Sequence, residues 1–210
     1  MIVLGLTGSI GMGKSTAAAL LRRLGVPVHD ADAAVHRLLA RGGLAVPLVA
    51  AAFPGVVENG AVDRRALGRI VFADPAALER LEAILHPLVR REERRFLARA
   101  RAERRRLAAL DIPLLFETGA ETRCDRVVVV SAPRRVQLAR VLKRAGMTRE
   151  RLAGIEARQM SDTEKCRRAD FVVQTGLGRR LSLRAMHRIV RLLRGKRRGK
   201  RRGRRRDCRS

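Results

Sequence analysis

One short segment near the amino terminus constrains this chain more than any other. The residues from Gly8 to Ser15 read GSIGMGKS, which matches the pattern G-x-x-x-x-G-K-[ST] between an apolar stretch and a helical one. In that setting, glycines let the backbone fold around phosphate groups, and the helix start supplies amides and a positive dipole end. We therefore predict a phosphate-binding loop (P-loop), with Lys14 on the β- and γ-phosphates of ATP and the Ser15 hydroxyl on Mg²⁺.

Short apolar runs alternate with longer amphipathic stretches along the rest of the chain. The runs that predict buried strands are residues 2–6, 26–29, 107–116, 127–131 and 171–174. Apolar strands that alternate with helices indicate a mostly parallel sheet with helices on both faces. The sequence therefore predicts an α/β fold of three layers, the P-loop NTPase fold, with five strands.

The strands are unevenly spaced. Roughly seventy-five residues, mostly helical and including predicted helices at 75–85 and 87–106, separate the second strand from the third. We expect a helical substrate subdomain at about 33–106 and an arginine-rich, mobile lid at about 133–165. Residues 1–194 would then form a single domain, and 195–210, too charged to pack, would be a disordered basic tail.

The net charge of the chain is extreme but does little to distinguish between possible functions. The net charge is +27, of which +9 lies in residues 195–210. Charge runs are usually solvated faces or tails, and aromatic residues, at 2%, are too few for a reader of unpaired bases, so we expect no specific nucleic acid partner. The apolar amino terminus is too short to span a membrane, and no transmembrane segment is predicted. These features favour a cytoplasmic protein, and they leave its oligomeric state open.

Two carboxylates follow the second predicted strand. Asp30 and Asp32 open a helix, where either one alone would serve as a cap or a first-turn acid. In an α/β sheet, however, the carboxyl end of a strand adjoining the P-loop strand faces the ligand crevice. Asp32 is therefore predicted to accept the proton of an acceptor hydroxyl. The role of Asp30 stays open between helix capping and acceptor binding.

Several short blocks occur along the chain beside the P-loop. They are Gly8–Thr16, Asp30-Ala31-Asp32, Leu85-His86-Pro87-Leu88 and Pro113-Leu114-Leu115-Phe116-Glu117, with a lid-like segment at Gln137–Val141, Arg144, Arg158 and Gln159. Together they resemble the dephospho-CoA kinase family, whose order and spacing they follow over residues 1–178, and in combination they are more specific than the P-loop alone.

The resemblance implies transfer of the γ-phosphoryl group of ATP to the ribose 3′-hydroxyl of dephospho-CoA, which gives coenzyme A and ends its biosynthesis. Its implied catalytic residues are Asp32, Lys14 and Arg140. Its implied nucleotide-binding residues are Gly8, Gly11, Met12, Gly13, Lys14, Ser15, Thr16 and Arg144. Its implied substrate-binding residues are Asp30, His86 and Glu117, although His86 also suits a helix boundary before Pro87, and Glu117 suits a cap or the Mg²⁺ hydration shell.

The chain departs from the family pattern at two places, and two alternative functions stay open. Gln174 stands where the family commonly has Asn, and the basic tail has no counterpart in the family. Another small-molecule kinase, such as a nucleoside monophosphate kinase, would share the P-loop. The charge alone motivates a nucleic-acid-binding protein that uses ATP as a switch. A GTPase is disfavoured because the only asparagine, Asn59, precedes Gly60 and forms no N-K-x-D motif.

Overall fold

A parallel sheet of five strands forms the centre of the computed structural model, which describes residues 1–157 and 159–195. The strands, numbered along the chain, are β1 (Ile2–Thr7), β2 (Val28–Asp30), β3 (Val57–Glu58), β4 (Ala61–Val62), β5 (Leu107–Asp111), β6 (Arg126–Ser131) and β7 (Phe171–Gln174). The large sheet has the order β2-β5-β1-β6-β7, and β3 and β4 form a separate antiparallel hairpin. The predicted α/β class with five parallel strands is confirmed.

Helices cover both faces of the sheet. They are α1 (Lys14–Arg23), α2 (Ala31–Leu39), α3 (Val46–Ala52), α4 (Arg64–Ala73), α5 (Pro75–Ala102), α6 (Arg134–Leu142), α7 (Arg149–Glu156), α8 (Asp162–Arg168) and α9 (Arg179–Gly195). One apolar cluster joins the sheet to α1 and α9, and another joins the opposite face to the end of α5. The strands read as continuous apolar runs because both of their faces are buried.

The strand order corrects one step of the sequence argument. Strand β5, and not β2, adjoins the P-loop strand β1, since β5 lies between them. Strand β5 is also shorter than predicted and ends at Asp111, after which residues 113–119 form turns. The carboxylate at the end of the strand beside β1 is therefore Asp111, while Asp30 lies one strand further out, in direct register with it.

The segment between β2 and β5 has an apolar cluster of its own. Buried side chains from α2, α3, α4 and the first half of α5 pack together, among them Leu38, Phe53, Leu67 and Leu81. Asp63 and Asp74 cap α4 and α5 through their carboxylates, which satisfies amides that the helices leave unpaired. The segment thus packs largely on itself, beside the sheet.

Helix α5 contradicts the predicted boundary at His86. A single helix runs from Pro75 to Ala102 through Pro87, and the His86 side chain lies on its exposed surface. Proline disfavours helical geometry in the preceding residue and removes one hydrogen bond. Here, packing of the apolar face of α5 against α2 and α4 outweighs that local cost.

The segment that was predicted as a lid contains α6, α7 and the start of α8. Helix α8 runs from Asp162 to Arg168 and so extends past the predicted lid boundary at about 165. The lid residue Arg158 lies outside the described residues, as does the predicted tail except Gly195, which ends α9. Within the described residues, no helix is long and apolar enough to cross a membrane.

The position of Pro87 makes a testable prediction about stability. Pro87 is exposed within α5, so Pro87→Ala removes little packing and restores a helical amide. Alanine is favoured over proline in a helix interior by about 3 kcal/mol, of which about 1 kcal/mol is offset by greater freedom in the unfolded chain. We expect the free energy of unfolding in urea to rise by about 1–2 kcal/mol. The neighbouring variant His86→Ala serves as control, and a fall in stability on Pro87→Ala would contradict a purely local role for the proline.

Candidate active site

The loop between β1 and α1 has the geometry of a phosphate cradle. Gly13 precedes α1 in a left-handed conformation with φ of 90°, and no side chain caps the amides of the first turn. Gly8 passes close to β6, where an added Cβ would lie 2.5 Å from Val130 Cγ2. Glycine is therefore required at 13 by conformation and at 8 by close approach, and the uncapped helix start can receive an anion.

The side chain of Lys14 is bound to a carboxylate that the sequence analysis did not select. Its Nζ lies 2.7 Å from Oδ1 of Asp111, whose side chain is only 3% exposed. Burial raises the pKa of Asp111, and the carboxylates of Asp30 and Asp32 raise it further, whereas the hydrogen bond and charge of Lys14 lower it. Lys14 thus favours the ionised form of this buried carboxylate, at the floor of the P-loop.

Asp30 and Asp32 have different surroundings although they are two residues apart. The Oδ1 atom of Asp30 accepts a hydrogen bond of 3.0 Å from the amide of Ala33, which makes Asp30 the N-cap of α2. Asp32 lies in the first turn of α2, is exposed, and lines the cavity above the P-loop. The structure therefore gives Asp30 a capping contact and leaves the carboxylate of Asp32 free to meet a ligand.

Arg140, from the last turn of α6, lies directly over the P-loop. Its guanidinium donates to the carbonyl of Gly11 at 3.3 Å, and to the hydroxyl and carbonyl of Thr175 at 3.0 and 2.8 Å. The Thr175 hydroxyl in turn donates to the carbonyl of Met12 at 2.6 Å. Arg140 is thus oriented by three protein acceptors at the edge of the cavity, which fixes a positive charge beside the loop.

Two glutamines join the helices after β6 to the tip of the P-loop. The amide of Gln137 donates to the carbonyl of Ile10 at 2.9 Å, and the side-chain oxygen of Gln159 accepts from the Ile10 amide at 3.4 Å. Gln137 is buried, and a double ion pair between Arg134 and Glu156 fastens α6 to α7 beside it. The tip of the loop is therefore held by α6 and by the segment after α7.

These groups enclose one cavity of about 730 Å³. Of the predicted site residues, those lining it are Gly8, Gly11, Gly13, Lys14, Ser15, Thr16, Asp32, Arg140 and Arg144. Arg144 follows the end of α6 and is exposed to the cavity mouth. Met12 belongs to the P-loop but does not line the cavity. Its side chain is buried in the core, where its sulfur lies 3.2 Å from the amide of Ala132. Its contribution to a phosphate site is therefore limited to its backbone.

His86 and Glu117 do not line this cavity. His86 is on the outer surface of α5, and Glu117 lies in the turns after β5 instead of at a strand end. The Oε1 atom of Glu117 lies 3.0 Å from the Nζ of Lys165, whose side chain is fully buried, and accepts a 2.8 Å hydrogen bond from the amide of Met160. Glu117 thus anchors α8 and the segment before it.

Several residues of the site were not predicted from the sequence. Asp111, Thr175 and Arg179 contact the loop or line the cavity and were not selected, while Gln137 and Gln159 were named only as part of the lid-like segment. Asp111 had a detectable signal, since an apolar run that ends in an aspartate, in a chain with a P-loop, indicates the Mg²⁺ region of the nucleotide site. Thr175 and Arg179 have no comparable local signal.

Comparisons with known proteins agree on one family. The profile of dephospho-CoA kinases matches residues 2–178. A dephospho-CoA kinase of Paramagnetospirillum magneticum is 74% identical over 141 residues, which are 67% of this chain and 66% of that protein. The dephospho-CoA kinase of Rhodospirillum rubrum is 63% identical over 141 residues, 67% of each chain. The alignment thus spans about two thirds of these relatives.

Solved structures extend the similarity to most of the chain. A crystal structure of a Thermus thermophilus protein is 42% identical with a TM-score of 0.80, and the match covers 91% of this chain and 96% of that one. A dephospho-CoA kinase from Campylobacter jejuni is 25% identical with a TM-score of 0.68, covering 90% and 95%. The sheet, the helical segment after β2 and the helices after β6 therefore belong to a shared architecture.

The buried pair of Glu117 and Lys165 allows a structural role to be measured. Glu117→Gln keeps the shape and the bond to Met160 but leaves the Lys165 ammonium without a carboxylate partner. Loss of one partner of a buried ion pair costs about 3–5 kcal/mol, whereas replacing both by neutral groups is often tolerated. We expect the single variant to unfold at clearly lower urea concentration, and the double variant Glu117→Gln, Lys165→Met to recover most of the loss. A double variant no more stable than the single one would contradict this role.

Proposed function

This chain belongs to the dephospho-CoA kinase family, and we propose that it transfers the γ-phosphoryl group of ATP to the ribose 3′-hydroxyl of dephospho-CoA, producing coenzyme A and ADP. One observation carries the proposal: a single cavity is lined by the P-loop, by the free carboxylate of Asp32 and by the guanidinium of Arg140. A phosphate cradle, an acceptor-facing carboxylate and a fixed positive charge are the groups that phosphoryl transfer requires.

On the donor side, the P-loop would hold the phosphates of ATP. The uncapped amides at the start of α1 would bind phosphate oxygens, and Lys14 would turn from Asp111 toward the β- and γ-phosphates. Arg140 and Arg144 would add positive charge from the lid side of the same cavity. Because negative charge spreads over the transferred group in the transition state, these cations lower the barrier mainly by neutralising it.

The residues present fit a Mg²⁺ ion that arrives with ATP. Among the described residues, no cluster of three or more acidic, histidine or cysteine side chains can hold a metal by itself. Mg²⁺ usually keeps several waters and takes only one or two protein oxygens beside the phosphates. The Ser15 hydroxyl would be one of them, and the carboxylate of Asp111 would hold the water shell once Lys14 turns away. When bound, the ion would neutralise phosphate charge and fix the phosphates in line with the acceptor.

On the acceptor side, Asp32 is the group that would meet the ribose hydroxyl. Its carboxylate is exposed at the cavity and is not used as a cap, unlike that of Asp30. It would orient the 3′-hydroxyl and receive its proton as the oxygen attacks the γ-phosphorus. Asp30 would act indirectly, because its hydrogen bond to the Ala33 amide sets the start of the helix that carries Asp32.

The helical segments would serve the two substrates. We infer that residues 33–106 form the acceptor-binding subdomain and that 133–165 form a lid over ATP, within a single domain of residues 1–194. The self-packed cluster of α2–α5 supports the first part, and the contacts of Gln137 and Arg140 with the P-loop support the second. Acceptor contacts by His86 and Glu117, and a cytoplasmic location, stay predictions.

The proposed reaction can be measured directly. The purified full chain, incubated with ATP, Mg²⁺ and dephospho-CoA, should form equal amounts of ADP and coenzyme A, resolved by chromatography. Adenosine, nucleoside monophosphates and shikimate serve as competing acceptors, since other small-molecule kinases share the P-loop. Folded protein that forms no coenzyme A, or that prefers another acceptor, would refute the proposal.

The different surroundings of Asp32 and Asp30 give matched variants. Asp32→Asn keeps the size of the side chain but cannot accept a proton, so we expect kcat to fall about 10²–10⁴-fold with ATP affinity and stability nearly unchanged. Asp30→Ala removes a helix cap, so we expect a stability loss of about 1 kcal/mol, while Asp30→Asn, which still caps, should keep it. Steady-state kinetics and urea unfolding on the same preparations measure both effects. An Asp32→Asn enzyme with normal kcat would remove Asp32 from the mechanism.

A further inference from the structure

A second cavity lies at the β2 edge of the sheet, apart from the P-loop. It has a volume of about 530 Å³ and shares no lining residue with the active-site cavity. Its walls come from the end of α1, from β2, from α2 and from the second half of α5. Cavities of this size commonly accommodate small molecules.

Four arginines line this cavity and outnumber its two carboxylates, Asp30 and Glu92. The arginines are Arg22, Arg37, Arg95 and Arg99. Within the described part of the chain, only Arg37 forms an ion pair, with Glu92 at 2.6 Å, while Asp30 caps α2 and keeps its negative charge at the rim. Among the described residues, the side chains of the other three form no ion pair or hydrogen bond. Arg95 and Arg99 are also one helical turn apart on α5, where like charges repel each other.

A buried histidine ring and a half-buried phenylalanine ring form the inner wall. The rings of His29 and Phe96 lie 5.4 Å apart, and both residues line the cavity. His29 is 6% exposed, and its Nε2 has no hydrogen-bond partner. Burial lowers the pKa of His29, so the imidazole is neutral at neutral pH and does not add to the arginine charge. The cavity thus has a base of two uncharged rings and a rim on which arginines outnumber carboxylates.

From this arrangement we infer that the cavity is a second anion-binding site, which takes the diphosphate group of a soluble ligand. Guanidinium groups bind phosphate oxygens through paired hydrogen bonds, and three free ones match the charge of two linked phosphates. Binding there would also relieve the repulsion between Arg95 and Arg99. Because Asp30 and Ala33 lie at the rim, an occupant would contact the helix start that carries Asp32.

Nuclear magnetic resonance of the histidine rings gives a test specific to this cavity. The chain has four histidines, His29, His36, His86 and His187, and His29→Gln identifies the first resonance. Pyrophosphate is added to the full chain at constant ionic strength and without ADP, because ADP carries a diphosphate itself and no histidine lines the P-loop cavity in the described residues. We expect the His29 resonance to shift saturably while the other three stay in place. No His29 shift, or an equal shift of all four, would overturn the inference.

Arginine variants on α5 provide matched controls. Arg95→Gln and Arg99→Gln should each raise the Kd for pyrophosphate about tenfold, since each removes a charge-assisted contact. Arg91→Gln, on the same helix but outside the cavity, removes an equal charge and should change the Kd less than about twofold. Equal weakening by all three variants would mean nonspecific attraction and would refute the site.

A final competition experiment with dephospho-CoA identifies the source of the diphosphate. This experiment alone rests on the proposed function. If dephospho-CoA shifts the His29 resonance and displaces pyrophosphate, the site binds the diphosphate of the acceptor itself. If pyrophosphate binds equally well with dephospho-CoA present, the ligand is a separate soluble diphosphate. Both results support the site, whereas the absence of a pyrophosphate response in the first arm refutes it even if the enzyme is fully active.

Discussion

The buried ion pair between Lys14 and Asp111 is the interaction on which the site depends. It joins the start of α1 to the end of β5, and it exists because β1 and β5 pair in parallel and end at the same edge of the sheet. A carboxylate as buried as that of Asp111 is costly to ionise without a partner, so the lysine is held close to the floor of the loop. Any phosphate that enters competes with this carboxylate for one ammonium group. The architecture of the sheet thereby sets the position of the Lys14 ammonium group in the structure.

Much of the fold followed from patterns that are local in sequence. The P-loop is contiguous, and the apolar runs of β1, β6 and β7 are bounded by charged residues or glycine, so their positions were nearly correct. The end of β5 was placed five residues late because the apolar run continues from Ile112 to Phe116 after the strand has ended. That error concealed Asp111, which looked like a polar interruption instead of a strand end. The strand order also escaped prediction, since it depends on pairing between distant segments and not on local pattern.

The groups that hold the site together were the hardest to predict. Gln137, Gln159 and Thr175 contact the P-loop from 120 to 165 residues away, through side chains of ordinary type. Glu117 and Lys165 form their pair between the turns after β5 and helix α8, and neither position carries a motif that would distinguish a buried ion pair from a ligand contact. His86 shows the opposite error, because proline usually marks a boundary, whereas tertiary packing carried the helix through it. Local sequence thus predicted the groups that line the cavity better than the residues that hold those groups in place.

The contacts of α6 with the P-loop have a consequence for how the protein responds to ligands. Gln137 and Arg140 bind the carbonyls of Ile10 and Gly11, so the helix and the loop share hydrogen bonds. Displacement of α6 must break these bonds, and stiffening of the loop must strengthen the hold on α6. By thermodynamic reciprocity, the factor by which docking of α6 changes the affinity for phosphate equals the factor by which bound phosphate changes the docking of α6. The affinity of the loop for nucleotide is therefore a property of the loop and helix together, and a substitution far out on α6 can change it without touching a phosphate.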